Sequence, residues 1–247
     1  MIALIHASNV SGNIMPVAEV GKIAKEYGIL LLVDAAQTIG RISVEPVQLN
    51  IDLLAAPGHK GLLGPMGTGF LYAQPDLHLE PLWEGGTGIQ SESMEQPDTW
   101  PERFESGTCN APGLAGLAEG INEVKERGLA AISAHELRLT EILSHGLSQI
   151  PGIIQYGPAD RQQCIGTLSF NVQELDCSEV AHILDKVHSI AVRPGLHCAP
   201  AAHNTIGTFP HGTVRASVGP YSTEDDIRAL IRAVSEIVEL NQRAHSP

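Results

Sequence analysis

Positive charge is scarce in this chain of 247 residues: 15 lysines and arginines stand against 28 acidic residues, a net charge of −13. The basic residues form no cluster, so neither nucleic acid nor an anionic membrane is expected as a main partner. Long apolar runs are missing too. Nothing approaches the roughly 18 uninterrupted apolar residues of a membrane-spanning helix, and Met1-Ile2-Ala3-Leu4-Ile5-His6 has neither the basic stretch nor the sustained apolar core of a secretion signal. Cysteine is sparse. Cys109, Cys164, Cys177 and Cys198 lie far apart without CxxC spacing, which argues against a disulfide framework and for a reducing cytoplasm. The glycines after Lys60 match no phosphate-binding loop set between a strand and a helix. His197, Cys198, His203 and His211 match no common zinc spacing, so no metal centre is expected. Internal repeats are absent.

What remains is a chain with 43% hydrophobic residues, enough to bury a substantial core. Its patterns predict alternating strands and helices. Residues 2–5 form a short apolar strand, followed by a polar loop, His6 to Asn13. Pro16 opens a helix carrying Val17, Val20, Ala24 and Tyr27 at helical spacing, with Gly28 just past its end. Apolar runs at 29–33 and 51–56 read as buried strands, and 69–73 as a third. Residues 84–105 lack periodicity and read as a long surface excursion. Helical patterns occupy 114–124 and 131–147, and Pro151-Gly152 stops them. A strand at 166–171, a helix around Val180, Ile183, Leu184 and Val187, a loop at 191–200, a strand at 213–218 and an amphipathic helix around 227–238 complete the chain.

Polar residues fall where the strands end. Asp34 closes one apolar run, where open α/β sheets place their ligands, although a carboxylate there also serves as a turn cap. Lys60 follows the next run inside Gly58-His59-Lys60-Gly61, a context that by itself fits a solvated turn lysine. Cys198 sits on a loop bounded by glycine and proline, and Arg215 lies within a strand. Together these types suit pyridoxal phosphate chemistry on an amino acid. A lysine can form an imine, an acid can keep a pyridine nitrogen protonated, and an arginine can grip a carboxylate.

The segments His6-Ala7-Ser8-Asn9-Val10-Ser11-Gly12, Val33-Asp34-Ala35-Ala36-Gln37, Gly58-His59-Lys60-Gly61 and Gly195-Leu196-His197-Cys198-Ala199-Pro200, followed by Arg215-Ala216-Ser217, resemble in order and spacing the class V aminotransferase fold. Within it they look most like the cysteine desulfurase and selenocysteine lyase group. The resemblance implies an α/β fold of the pyridoxal phosphate-dependent transferase type (fold type I). It would comprise the C-terminal part of a cofactor-binding large domain over 1–112, connecting helices over 113–150 and a C-terminal α+β small domain over 151–247.

It further implies that Lys60 is the Schiff-base lysine and Asp34 the pyridine-nitrogen partner. Asn9 and Gln37 would border the cofactor or substrate, His59 would touch the phosphate, and Arg215, with Arg193 as a second contact, would bind the substrate carboxylate. Thr108 would reach the cofactor phosphate of a second subunit, which implies a homodimer. Cys198 would take sulfur from L-cysteine as a persulfide, leaving L-alanine, and pass it to a sulfur-acceptor protein, as in sulfur metabolism and iron–sulfur cluster assembly. His197 or the cationic surroundings would lower its thiol pKa. Two departures accompany the match. Pro57 replaces a hydroxyl residue that helps hold the phosphate in the family, and the family's N-terminal segment is not represented, so a truncated form is expected. The alternatives are a selenocysteine lyase or another class V aminotransferase, and an inactive remnant of the fold serving as a dimerisation or sulfur-relay partner.

Overall fold

Two four-stranded sheets, each with its own apolar core, organise the computed structural model, which describes residues 1–90 and 92–244. The first sheet has the order β1 (Ile2–Ile5), β2 (Leu31–Asp34), β3 (Leu53–Pro57), β4 (Gly69–Ala73). β1, β2 and β3 are parallel, and β4 returns antiparallel beside β3. Helix α1 (Val17–Glu26) makes the crossover from β1 to β2 and buries Val17, Gly21 and Ala24 against the sheet. Val17 and Ala24 join Leu31, Val33, Ile51 and Leu54 in the first core.

The outer part of this sheet stays uncovered. Leu71 is 59% exposed and Phe70 40%, and Leu82 and Trp83 stand almost free beyond them at 93% and 80%. The excursion between β4 and the next helix contains one 3-10 turn, Glu102–Phe104. It is stapled to itself: Arg103 pairs with Glu80 at 3.0 Å and Asp98 at 2.8 Å, and Trp100 meets Phe104 edge-on at 4.6 Å between ring centroids. Residue 91 of this excursion and the last three residues of the small-domain segment, 245–247, lie outside the described residues.

Helices α2 (Ala111–Arg127) and α3 (Leu129–Ser148) follow. Asn110 caps α2 by accepting the Gly113 N–H at 3.1 Å, and Gly128, in the left-handed region, separates the two. The second sheet has the order β5 (Ile153–Tyr156), β6 (Thr167–Val172), β8 (Thr213–Ser217), β7 (Arg193–Gly195), all antiparallel. Helices α3, α4 (Cys177–His188) and α6 (Glu224–Ala244) contribute to its core. Leu139, Leu143, Leu147, Leu168, Phe170, Leu184 and Val234 are each at most 1% exposed there. No helix among the described residues is long and apolar enough to cross a membrane.

Two elements were not expected from the sequence. β5 is short, and its pattern of partial burial gives no clean alternation. The segment expected as a loop over 191–200 instead begins with β7, whose Pro194 carries no N–H for a ladder; its edge position makes that tolerable.

The two sheets are joined tightly through the loop after β1. The Ile165 N–H donates to the Gly12 carbonyl at 2.9 Å, the Ile14 N–H to the Gln163 carbonyl at 2.8 Å, and the Ser169 hydroxyl to the Val10 carbonyl at 2.6 Å. Gly12 has φ +73°, and a Cβ there would overlap the Thr167 carbonyl. Glycine is therefore required for the approach.

Candidate functional site

Because β1, β2 and β3 run parallel, their carboxyl ends lie on one side, and that side carries His6, Asp34 and the turn to Lys60. The His6 N–H donates to the Asp34 carbonyl at 2.8 Å, while its buried ring lies 3.0 Å from the Thr38 hydroxyl. Desolvation pushes the His6 pKa down, so the ring is neutral. One carboxylate oxygen of Asp34 accepts the Ala36 N–H at 2.8 Å. The turn-cap role is thus present, and it fixes the direction of an otherwise exposed carboxylate.

Lys60 keeps solvent-exposed surface, yet its pKa is pushed below the ordinary lysine value. Burial of its surroundings is the main cause. Asp34 and Cys198 oppose the shift, and the Arg215 and Arg41 guanidinium groups add to it. The lysine therefore senses groups from both sheets.

The second sheet supplies the cations. Arg193 on β7 and Arg215 on β8 are direct cross-strand partners, a placement that repulsion disfavours unless an anion lies between or beside them. Arg215 donates through Nη1 to the Asn9 carbonyl at 3.0 Å, and its Nε is buried without a partner. Burial, then Arg193, lower its pKa. Arg193 donates through Nη2 to the Cys198 sulfur at 3.3 Å.

Cys198 is exposed and His197 is buried, and both have positive φ, 60° and 51°. Left-handed backbone at two successive non-glycine residues is strained and needs bracing. Asn9 Nδ2 donates to the His197 carbonyl at 2.7 Å, and His197 Nε2 lies 3.0 Å from the Thr213 hydroxyl. His203, fully buried on α5 (Pro200–Thr205), lies behind it with ring centroids 5.4 Å apart.

The expectation that His197 supplies positive charge to the thiol does not hold. Desolvation, reinforced by Arg215, lowers its pKa to about 4, so it is neutral near pH 7. The cation touching Cys198 is Arg193. Asn9 acts here as a brace for the cysteine loop and an anchor for Arg215.

The remaining expected residues are less tightly placed. Gln37 is half-buried in the turn after Asp34, and His59 and Thr108 are exposed. Sequence reasoning did not single out Arg41 or His6. Arg41 lacks a local signal because its importance comes from a partner on α3, Glu136, at 3.1 Å. The whole arrangement is an open shelf. Two roomier hollows, about 720 Å³ beside Trp83 and Trp100 and about 600 Å³ between α3 and α6, contain none of these residues.

Residues 1–230 match the family described as aminotransferase class-V. The chain is 42% identical over 242 residues to a probable cysteine desulfurase of Methanothermobacter thermautotrophicus, covering 96% of this chain and 60% of that protein. It superimposes on the apo structure of a cysteine desulfurase from Thermococcus onnurineus NA1 with a TM-score of 0.90 and 38% identity, over 96% of this chain and 59% of that one. For a cysteine desulfurase structure from Escherichia coli the TM-score is 0.88 at 29% identity, over 96% and 59% of the two chains. The chain thus spans about 60% of the length of the curated relatives it matches.

Proposed function

Because this chain belongs to the class-V aminotransferase family, we propose that it carries the catalytic half of a pyridoxal phosphate-dependent cysteine desulfurase, which converts L-cysteine to L-alanine and leaves a persulfide on Cys198. The observation that carries this reading is the convergence of Asp34, Arg215 and Cys198 on one lysine of depressed pKa. Names of relatives covering nearly the whole chain support it.

The residues fit such a cofactor at its ring end. Lys60 gives up its proton more readily than an ordinary lysine, Asp34 presents an oriented carboxylate, and the buried, unpartnered Nε of Arg215 is ready for an anion. At the phosphate end the chain offers His59 and, from a second subunit, Thr108; Pro57 has neither hydroxyl nor N–H to add. When bound, the cofactor supplies an electron sink for the carbanion at the substrate α-carbon.

This chain's own groups do the rest. Arg215 takes the substrate carboxylate, and the Lys60 amine holds and returns the α-proton. The Cys198 thiolate, kept beside Arg193, attacks the substrate sulfur. A sulfur–sulfur bond forms as the substrate carbon–sulfur bond breaks. The proton given up by the substrate thiol is balanced by the one that completes the alanine methyl group. An exposed sulfur on a braced loop suits delivery to an acceptor protein.

The division into 1–112, 113–150 and 151–247, pairing as a homodimer and a reducing cytoplasmic setting belong to the same reading. The exposed Leu82, Trp83 and Met94 within the excursion support the pairing, and four free thiols support the setting. A second reading, a sulfur-relay partner without its own turnover, is favoured by the openness of the shelf. Adding pyridoxal phosphate separates the two. A visible absorbance band that Lys60→Ala lacks is expected, and a band that persists in that variant sinks the assignment of Lys60.

A further inference from the structure

The ion pair between Arg41 and Glu136 lies behind the shelf and belongs to neither set of expected site residues. Arg41 follows Gly40, whose φ is +78° and whose Cβ, if present, would overlap the Gly61 carbonyl. The chain after β2 is thereby pressed against the turn that presents Lys60, and a Cβ on Gly61 would come within 3.3 Å of Arg41 Cγ. From there Arg41 Nη1 reaches Glu136 Oε2 on α3 at 3.1 Å, with the two side chains 19% and 4% exposed.

On its other side Glu136 lies close to Gly166, the residue just before β6. Its Oε2 lies 2.9 Å from where a Gly166 Cβ would stand, and Oε1 is buried with no partner of its own. A cavity of about 60 Å³ beside the pair is closed by Ile14, Gln162, Cys164 and Gly166. A carboxylate buried this deeply with a single guanidinium partner is a poor stability device, since desolvation offsets most of the attraction. Its placement calls for another explanation.

We propose that Glu136 is a positioning residue for the lysine: it fixes, as a neutralised cation, the guanidinium of Arg41, whose stem packs against the Gly61 turn, and so sets the field in which Lys60 and Arg215 work. This rests on reading Lys60 as the reactive lysine. The charged groups facing Lys60 are Asp34 from β2, Arg41 from the following turn, Cys198 from the loop after β7 and Arg215 from β8. For Glu136, burial raises the carboxyl pKa, and Arg41 and its neighbour His135 oppose that shift. Glu136 thus pairs with one of the two cations that lower the Lys60 pKa.

The test is the proton affinity of Lys60 in the full chain without cofactor. It is read by site-resolved mass spectrometry from the pH dependence of acetylation by acetic anhydride. Glu136→Gln is expected to lower the Lys60 pKa by on the order of half a unit, and Arg41→Gln to raise it by a similar amount, as one charge acts across partly solvated protein. Glu136→Asp, which keeps the charge, restores the original value. Mere loosening would hydrate Lys60 in both variants and raise its pKa in both. A Glu136→Gln chain with Lys60 unchanged or raised therefore overturns the proposal. If the shifts appear while pyridoxal phosphate gives no Lys60-dependent band, the pairing stands and the cofactor reading fails.

Discussion

The two sheets hold their share of the site by different means. The second packs helices α3, α4 and α6 against its strands and fixes Cys198 and Arg215 through the Asn9, His197 and Thr213 contacts. The first buries fewer residues, leaves Phe70 and Leu71 exposed on its outer part, and presents Lys60 from a glycine-bounded turn beyond the carboxyl end of β3. Cys198 and Arg215 are thus braced by a closed core, and the lysine by backbone and by its neighbours' charges. Rigidity sits where the strained thiol loop needs it.

The sharpest way to separate the contributions is Cys198→Ala. Alanine formation from cysteine is expected to fall at least about a hundredfold while the Lys60-dependent band survives. Loss of both would mean that the two sheets do not contribute separable functions.

Next in size are the cores. Phe170→Ala, in the closed core, is expected to cost about 3–5 kcal/mol in chemical denaturation, whereas Leu71→Ala on the open sheet, 59% exposed, is expected to fall within about 0.5 kcal/mol of neutral. Equal losses would show the open face to be covered in solution.

Acid should also distinguish the sheets. His197, at about 4, and His203 in the second, and His6 in the first, all have pKa values depressed below the ordinary 6.5. An unfolded chain binds more protons than the folded one between those values, so their contribution to stability is complete above about pH 6.5 and is lost as pH falls towards 4. Hydrogen exchange should rise first around β7 and β8. His197→Gln should flatten that slope, and an unchanged slope would remove His197 as its source.

The smallest effect is expected at Arg103. Its two partners are exposed carboxylates, so Arg103→Gln should change the melting temperature little, measured at low and high salt.

Strand ends, glycine turns and apolar periods exposed most of this architecture to reading from the sequence. Asp34 and Lys60 were each ambiguous locally, one fitting a turn cap and the other a solvated turn, and were singled out only by the order and spacing of the segments around them. The short β5 was hidden by its mixed burial, and β7 by Pro194 and by having only three residues. Arg41 was hidden for a different reason. Its partner lies 95 positions away in the chain, and local pattern carries no information about such a contact. His197 was misjudged because an imidazole's charge depends on burial, which the neighbouring residues in sequence do not reveal.

The weld between the loop after β1 and the segment around 160–169 settles how dimensional error travels through the molecule. Lys60 and Cys198 are referenced to each other by that short route and not by the long way round through the excursion, α2 and α3. Insertions or cuts in residues 84–105 should therefore leave their separation untouched, whereas a single carbon added at Gly12 would displace one of these two side chains relative to the other.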